Sequence, residues 1–289
     1  MSYELRIEDG AELAQARWDE LRIARDAARD LGRSALAAIR TGRYAHEGRP
    51  VDWPDTVRAS IRATRSIPPD AYLPEAPDTP EARLRIEVTN ETTLGAARRL
   101  VDGGERPLAL NFANGVHPGG GFLDGARAQE EVLCRSSALY ATLEGDAMYE
   151  HHRERELPDS TDWAILSPAV PVFRRDDGST LPEPWLLDVV TCAAPFAPAL
   201  GQPRAGDLLE RRIHRVLAIA RAYGHRSLVL GAWGCGAFGN DPVRTAEDFR
   251  TALEGPFHGA FVHVVFAIAD WSAERRFLGP FRDVFAEER

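Results

Sequence analysis

Residues 107–131 read PLALNFANGVHPGGGFLDGARAQEE, and the fold class follows from how this run changes character. Pro107 to Phe112 is mostly apolar and predicts a strand. Asn114 and Gly115 leave it, Pro118 stiffens the approach, and Gly119, Gly120 and Gly121 follow. Three consecutive glycines carry an entropic cost, tolerated where the backbone needs positive φ or must admit a ligand closely. Gln129, Glu130 and Glu131 then open a helix expected to run to about Leu143. The loop thus leaves the carboxyl end of a strand, where open α/β sheets bind ligands. A glutamate pair in a first helical turn is in most proteins a macrodipole effect. Behind a glycine cradle it also allows a division of labour: one carboxyl holds a sugar, the other protonates a leaving oxygen. A helix N-terminus favours the ionised carboxylate, so a general acid here needs burial, its neighbour or a substrate phosphate to raise its pKa.

A second loop has the same setting. The strand expected at 227–232 (SLVLGA) runs into Gly234, Cys235, Gly236, Ala237, Phe238, Gly239 and Asn240, with G-x-G-x-x-G spacing ahead of a helix from Pro242. Asp241-Pro242 reads as an N-cap followed by proline at the first helical position. The dinucleotide fingerprint belongs to the first strand–helix unit of its fold, whereas this copy lies near the C-terminus, so a nicotinamide dehydrogenase is set aside. The physics is kept: glycines let amide N–H groups converge on a diphosphate. Phe238 is either a stacking surface for a ribose or base, or a core residue. Cys235 reads as a small residue rather than a nucleophile, because no basic partner stands beside it.

Strands are expected at 84–89, 107–112, 162–166, 169–173, 185–192, 227–232 and 260–268. Helices are expected at 11–41 (stopped by Gly42), 93–101, 129–143, 206–223, 242–254 and 273–286. Residues 49–80, rich in Pro, Asp and Arg, read as irregular, and 174–184 as an exposed loop. Apolar strands alternating with helices imply a sheet covered on both faces. The expectation is an α/β three-layer domain over 81–289 carrying an N-terminal helical extension, 1–80.

The 289 residues are 44% hydrophobic and 27% charged, with net charge −9. That balance disfavours a broad surface for tracking nucleic acid. All 35 basic residues are arginine, which excludes lysine Schiff bases and a phosphate-loop lysine. Three scattered cysteines give neither a disulfide framework nor a zinc pattern, the N-terminus lacks a secretory apolar stretch, and no segment spans a bilayer. The compartment expected is a reducing cytoplasm. His117, His151 and His152 have no metal or catalytic spacing. Two phosphate-friendly loops, a carboxylate pair and no lysine point to a nucleotide-sugar pocket and glycosidic cleavage rather than phosphoryl transfer.

The run Gly119-Gly120-Gly121, seven residues, then Gln129-Glu130-Glu131, with Phe112-Ala113-Asn114 ahead and GCGAFGN behind, resembles the signature of the bacterial poly(ADP-ribose) glycohydrolases. The resemblance runs from about residue 20 and is most specific at 111–140 and 227–241. It implies a three-layer αβα macrodomain with a mixed central sheet, no cofactor or metal, and a place in the DNA damage response. Glu131 would be the acid that protonates the ribose 2′-oxygen of the inter-unit bond, and its carboxylate would then activate water. Glu130 and Asn114 would hold the distal ribose. Gly119, Gly120 and Gly121 would border that ribose and the diphosphate, with Gln129 beside them. Gly234, Cys235, Gly236, Ala237 and Gly239 would cradle the diphosphate, with Phe238 on the ribose and Asn240 following. Candidates for the adenine end are Thr89, Asn90 and Glu91 after one strand and Asp270 and Trp271 after another. The implied partners are poly(ADP-ribose) or ADP-ribosylated protein and the product ADP-ribose, handled by a monomer with no membrane and no sequence-specific nucleic-acid contact. Cleavage would be mainly exo. The alternatives are a hydrolase of mono-ADP-ribosylated protein or nucleic acid, and a non-catalytic ADP-ribose-binding macrodomain, which would need the phosphate loops but not both glutamates.

Overall fold

Buried parallel strands need no polar face, and three short runs meet that condition along their length. They are β6 (Pro107–Ala113), β9 (Ser227–Leu230) and β10 (His263–Ala267), buried at every position except Phe112. The computed structural model, which describes residues 3–77 and 83–287, places them at the centre of an eight-stranded sheet. In chain order the elements are β1 (Glu4–Glu8), α1 (Ala11–Leu21), α2 (Arg25–Thr41), β2 (Arg43–His46), β3 (Arg49–Asp52), α3 (Pro54–Ala63) and β4 (Arg65–Ile67). There follow β5 (Arg85–Thr89), α4 (Thr93–Asp102), β6, α5 (Gln129–Ser136), α6 (Leu139–Leu143), α7 (Ala147–Arg153), β7 (Ala164–Arg174) and β8 (Thr180–Ala193). The chain closes with α8 (Ala197–Leu200), α9 (Arg204–Ala222), β9, α10 (Pro242–Glu254), β10 and α11 (Leu278–Ala286).

The sheet order is β1-β5-β10-β9-β6-β8-β7-β4. Pairing is parallel from β1 to β8 and antiparallel where β8 meets β7 and β7 meets β4. One apolar core, with α9, α10 and α11, covers one face, and a second, with α4 to α7, covers the other. This is the expected mixed, three-layer α/β architecture. The carboxyl ends of β5, β10, β9, β6 and β8 therefore open on one edge of the sheet.

Four expectations need correction. The helix expected at 11–41 is two helices: Arg22 to Ala24 are not helical, and Ile23 gives its carbonyl to the Arg127 guanidinium at 2.9 Å. Gly42 does end the second one, at φ 69. The segment read as irregular from Arg49 holds β3, α3 and β4; Pro54 sits in the first turn of α3 as a starter, not a breaker. The helix read over 129–143 stops at Ser136, because Ala138 N–H turns to the Pro171 carbonyl at 2.9 Å. The loop expected at 174–184 is a hairpin: β7 turns at 175–179, with Gly178 at φ 89, and returns as β8. Pro182 and Pro184 fall where the ladder to β7 is irregular and before β6 joins at Asp188, so they interrupt no regular pairing.

Residues 3–77, expected as a helical extension, also supply both edge strands, β1 and β4. The boundary placed at residue 80 lies outside the described residues. The segment's second helix rests directly on the glycine-rich loop: a Cβ at Gly32 would lie 2.3 Å from the Phe122 carbonyl oxygen. At the far end of that loop Gly125, φ 83, leaves no space for a side chain against the Arg25 carbonyl, where a Cβ would come to 2.0 Å.

Candidate active site

The open edge of the sheet carries a cavity of about 430 Å³. Its walls come from segments that leave β5, β6, β8, β9 and β10, together with the start of α5 and Leu21 of α1. Asn114, Gln129, Glu130, Glu131, Gly234, Gly236, Ala237 and Phe238 line it. Gly119, Gly120, Gly121, Cys235, Gly239 and Asn240 do not.

The three glycines wrap the glutamates instead of bordering the cavity. Gly121 N–H donates to Glu131 Oε1 at 2.9 Å, and Asn114 N–H donates to Glu130 Oε2 at 2.7 Å. Gly119 N–H is a further donor to Glu130. Gly120, at φ +57, faces the carboxyls so closely that a Cβ there would lie 2.3 Å from Glu131 Oε1 and 3.1 Å from Glu130 Oε2. Gly120 must be glycine because its backbone approaches both carboxylates at once; a Cβ at Gly119 would instead meet Phe122 and Cys134, and one at Gly121 would meet Ala126.

The two glutamates are only 3% and 8% exposed. Glu130 also accepts from Asn111 Nδ2 at 3.3 Å. Burial, aided by the neighbouring Glu131 carboxyl, pushes the Glu130 carboxyl up to about 8 against these hydrogen bonds. The raised carboxyl is thus Glu130, the neighbour of the residue expected to be the acid. Glu131 Oε2 is buried and has no hydrogen-bond partner among the described residues.

Two residues expected to touch substrate have their side chains occupied elsewhere. The Gln129 amide accepts from Phe112 N–H at 2.9 Å and donates to Leu110 O at 2.8 Å and Thr93 Oγ1 at 3.1 Å. It is a strut between α5 and β6. Asn240, buried, donates to the Pro195 and Gly234 carbonyls at 2.9 and 3.2 Å and staples the second loop to the end of β8. Cys235 turns inward, where burial pushes its thiol up to about 12. The Asn114 side-chain oxygen accepts from the Val116 and His117 amides at 2.9 Å, and its Nδ2 has no partner among the described residues.

The second loop divides its glycines by purpose. Gly234 (φ +75) and Gly239 (φ +65) need left-handed backbone. Gly236 does not, and a Cβ on it would meet nothing within 4 Å. Nothing inside the protein requires that glycine; its bare face lies in the cavity. Among the described residues the amides of Gly234, Gly236, Ala237 and Phe238 donate to no protein acceptor. Phe238 is half-buried, lines the cavity and stands edge-on to Phe196 with ring centroids 5.8 Å apart. Its ring packs against the core at one side and lines the cavity at the other.

At the opposite end Glu91, Trp271 and Phe277 line the cavity. Thr89, Asn90 and Asp270 are buried. Asn90 donates to the Asp270 carbonyl at 2.7 Å, and Asp270 takes the Phe277 and Leu278 amides at 2.8 and 3.1 Å. They latch the loop that presents Trp271. Helix α1 reaches across this end, with Trp18 edge-on to Trp271 at 5.5 Å. Of the histidines noted, His152 is structural: it bonds the Gly115 carbonyl at 3.0 Å and Thr161 Oγ1 at 2.7 Å, and burial holds it down at about 4. Leu21, Thr92, Arg127 and Asp176 also line the cavity and were not anticipated.

This geometry has known counterparts. The family profile described as "Microbial-type PARG, catalytic domain" matches residues 32–175. The crystal structure of poly(ADP-ribose) glycohydrolase from Thermomonospora curvata is 44% identical, with a TM-score of 0.84 over 90% of this chain and 100% of that one. The same enzyme bound to the inhibitor ADP-HPD matches at 42% identity and TM-score 0.81, over 89% of this chain and 99% of that one. Poly(ADP-ribose) glycohydrolase from Deinococcus radiodurans in complex with ADP-ribose is 38% identical, with a TM-score of 0.73 over 81% of this chain and 98% of that one. Among curated proteins none matches the chain.

Proposed function

This chain belongs to the microbial-type poly(ADP-ribose) glycohydrolases, and we propose that it releases terminal ADP-ribose from the polymer with Glu131 as the general acid. Glycohydrolase activity is the family's. The assignment of roles rests on one observation: Glu131 Oε2, partnerless and buried, sits on a cavity whose second loop offers four free amides.

A diphosphate seated against the amides of Gly234 and Gly236 to Phe238 needs no lysine, because converging N–H dipoles neutralise it. Gly236 supplies the room. The distal ribose then meets Asn114 Nδ2 and Glu130. Relatives bind ADP-ribose and ADP-HPD, ligands of the size and charge this arrangement suits.

Glu131 gives its proton to the ribose 2′-oxygen as the bond from that oxygen to the anomeric carbon breaks. Positive charge develops on the distal ribose beside Glu130. Water adds to the anomeric carbon and returns a proton to the Glu131 carboxylate, so the acid is regenerated. Glu130 and Glu131 are neighbours in a buried site, and the Glu131 carboxyl adds to the burial that raises Glu130. Burial keeps a proton on Glu130 near neutral pH, against the helix N-terminus that would otherwise ionise it, and leaves a neutral neighbour beside the acid. Gln129 and Asn240 act as supports for the two loops. Trp271 and Glu91 stand at the adenine end.

The cavity is built within one chain, so a monomer suffices. Three buried thiols fit a reducing, cytoplasmic compartment, and among the described residues no helix is long and apolar enough to cross a membrane. The test is Glu131→Gln. ADP-ribose affinity by calorimetry should stay within a few-fold, while polymer cleavage falls by about 10²- to 10⁴-fold, the usual contribution of a positioned acid. Normal cleavage by this variant would refute the assignment. A wild-type time course that accumulates oligomers before ADP-ribose would refute the exo mode.

A further inference from the structure

Buried charges are almost always paired, yet one arginine beside the reacting carboxyl is not. Arg135 is 1% exposed, and none of its three guanidinium nitrogens has a hydrogen-bond partner among the described residues. It lies four residues after Glu131 on α5, so the two share a face of the helix. Among the other buried atoms with no hydrogen-bond partner among the described residues are Glu131 Oε2 and Asp176 Oδ1. Asp176 is 4% exposed, lines the same cavity, and is fixed through its other oxygen by Thr92 Oγ1 at 2.8 Å. The charges of Asp176 and Glu131 both act on Arg135. A buried cation that feels two half-satisfied carboxylates and bonds neither is an expensive arrangement for stability alone.

We propose that Arg135 is a positioning residue of the reaction: the fixed countercharge for the Glu131 carboxylate formed when the acid has given up its proton, with Asp176 setting how much of that charge Glu131 feels. The inference rests on Glu131 being the general acid. In the ground state Glu131 carries the proton that the proposed acid must donate, and the guanidinium has no anion within hydrogen-bonding distance among the described residues. After transfer, the new carboxylate lies in a site where water is scarce, and the buried cation stabilises it without side-chain movement, as preorganised charges do. Direct contact would hold Glu131 ionised from the start and disable it; a cation that bonds neither oxygen permits both states.

Other charges are near. Glu130 adjoins Glu131, and Arg127 and Arg174 oppose the charge of Arg135. Arg174 donates to the Leu31 and Arg135 carbonyls, each at 2.9 Å, and is thereby fixed. Glu20 and Arg17 of α1 act on Asp176 with opposite signs. Cys134 and Tyr149, both buried and both raised, also face the glutamates; among the described residues Arg135 is the buried cation whose every guanidinium nitrogen lacks a hydrogen-bond partner.

The two residues predict shifts of opposite sign in the alkaline limb of the kcat–pH profile on purified polymer. Arg135→Met removes a cation that favours the carboxylate, so the limb moves up by about one pH unit or more, and kcat at neutral pH falls roughly tenfold. Arg135→Lys retains the charge and leaves the limb within a few tenths. Asp176→Asn leaves Arg135 less compensated and moves the limb down. A merely structural role lowers kcat at every pH and moves neither limb. Should Arg135→Met not fold, shown by near-ultraviolet circular dichroism, the downward shift in Asp176→Asn decides alone. Unmoved limbs in folded variants that bind ADP-ribose overturn the inference, whereas undiminished Glu131→Gln would overturn the acid assignment itself.

Discussion

Replacing Gly120 by alanine should disarm the enzyme while leaving its ligand pocket intact. The new Cβ would stand 2.3 Å from Glu131 Oε1, about 1 Å inside an ordinary van der Waals contact. The carboxyl must yield, because the other side of the clash is backbone at φ +57. Moving it breaks the bond from the Gly121 amide that sets its orientation. A displacement of about 1 Å from a reactive geometry can cost about 100-fold in rate, so kcat on polymer should fall by about two orders of magnitude. Alanine in a left-handed conformation costs about 1–2 kcal/mol, which lowers Tm by a few degrees in a chain of this size. Gly145→Ala separates the two effects. Gly145 has φ +82 with nothing within 4 Å, so it incurs the backbone strain without touching a carboxyl. Polymer turnover, ADP-ribose calorimetry and thermal melts on both variants make the comparison. Gly120→Ala should lose turnover and keep ADP-ribose affinity within a few-fold, because Gly120 lies outside the cavity wall. Gly145→Ala should share the melt and keep the turnover. If Gly120→Ala turns over within three-fold of wild type, the idea that the glycine run exists to seat the glutamates is wrong.

Two more outcomes are expected. Gly236→Val should weaken ADP-ribose binding without lowering Tm, since a Cβ there meets nothing within 4 Å and points into the cavity; unchanged affinity by calorimetry would remove the phosphate role of that loop. Glu130 is raised from an ordinary 4.5 to about 8 by burial, so the folded protein binds a proton more tightly than the unfolded chain between those values. Its contribution is full below pH 4.5 and is lost as pH rises towards 8. The fall in Tm from pH 5 to pH 8 should therefore be larger in wild type than in Glu130→Gln, and equal slopes would contradict the burial argument.

The parts of the site legible in the sequence are those whose meaning is local. A strand, three glycines and two acids within twenty-five residues state a close approach of backbone to something, and the carboxyls themselves turned out to be that something. The resemblance sets Gln129 beside the substrate; only the path of β6, brought alongside through sheet pairing, shows its amide consumed. Arg135 and Asp176 were invisible for the same reason, since their proximity depends on α5 and the β7–β8 turn meeting in space. Asp177-Gly178 between two apolar runs was a usable hairpin signal, obscured by Pro182 and Pro184. The break between α1 and α2 had no local marker at all: no glycine or proline lies between Leu21 and Arg25, and the Arg127 bond to the Ile23 carbonyl is tertiary.

The strand order has a consequence for how the protein is made. The ribosome delivers β1 first, yet its neighbour β5 cannot be enclosed until β10 arrives on the other side, after almost the whole chain has emerged. Until then the nascent polypeptide must carry unpaired strand edges and an unfinished catalytic rim. Folding of this kind is rate-limited by the closure of distant pairs, and the last strand to leave the exit tunnel is the one that locks the nucleotide-facing edge into place.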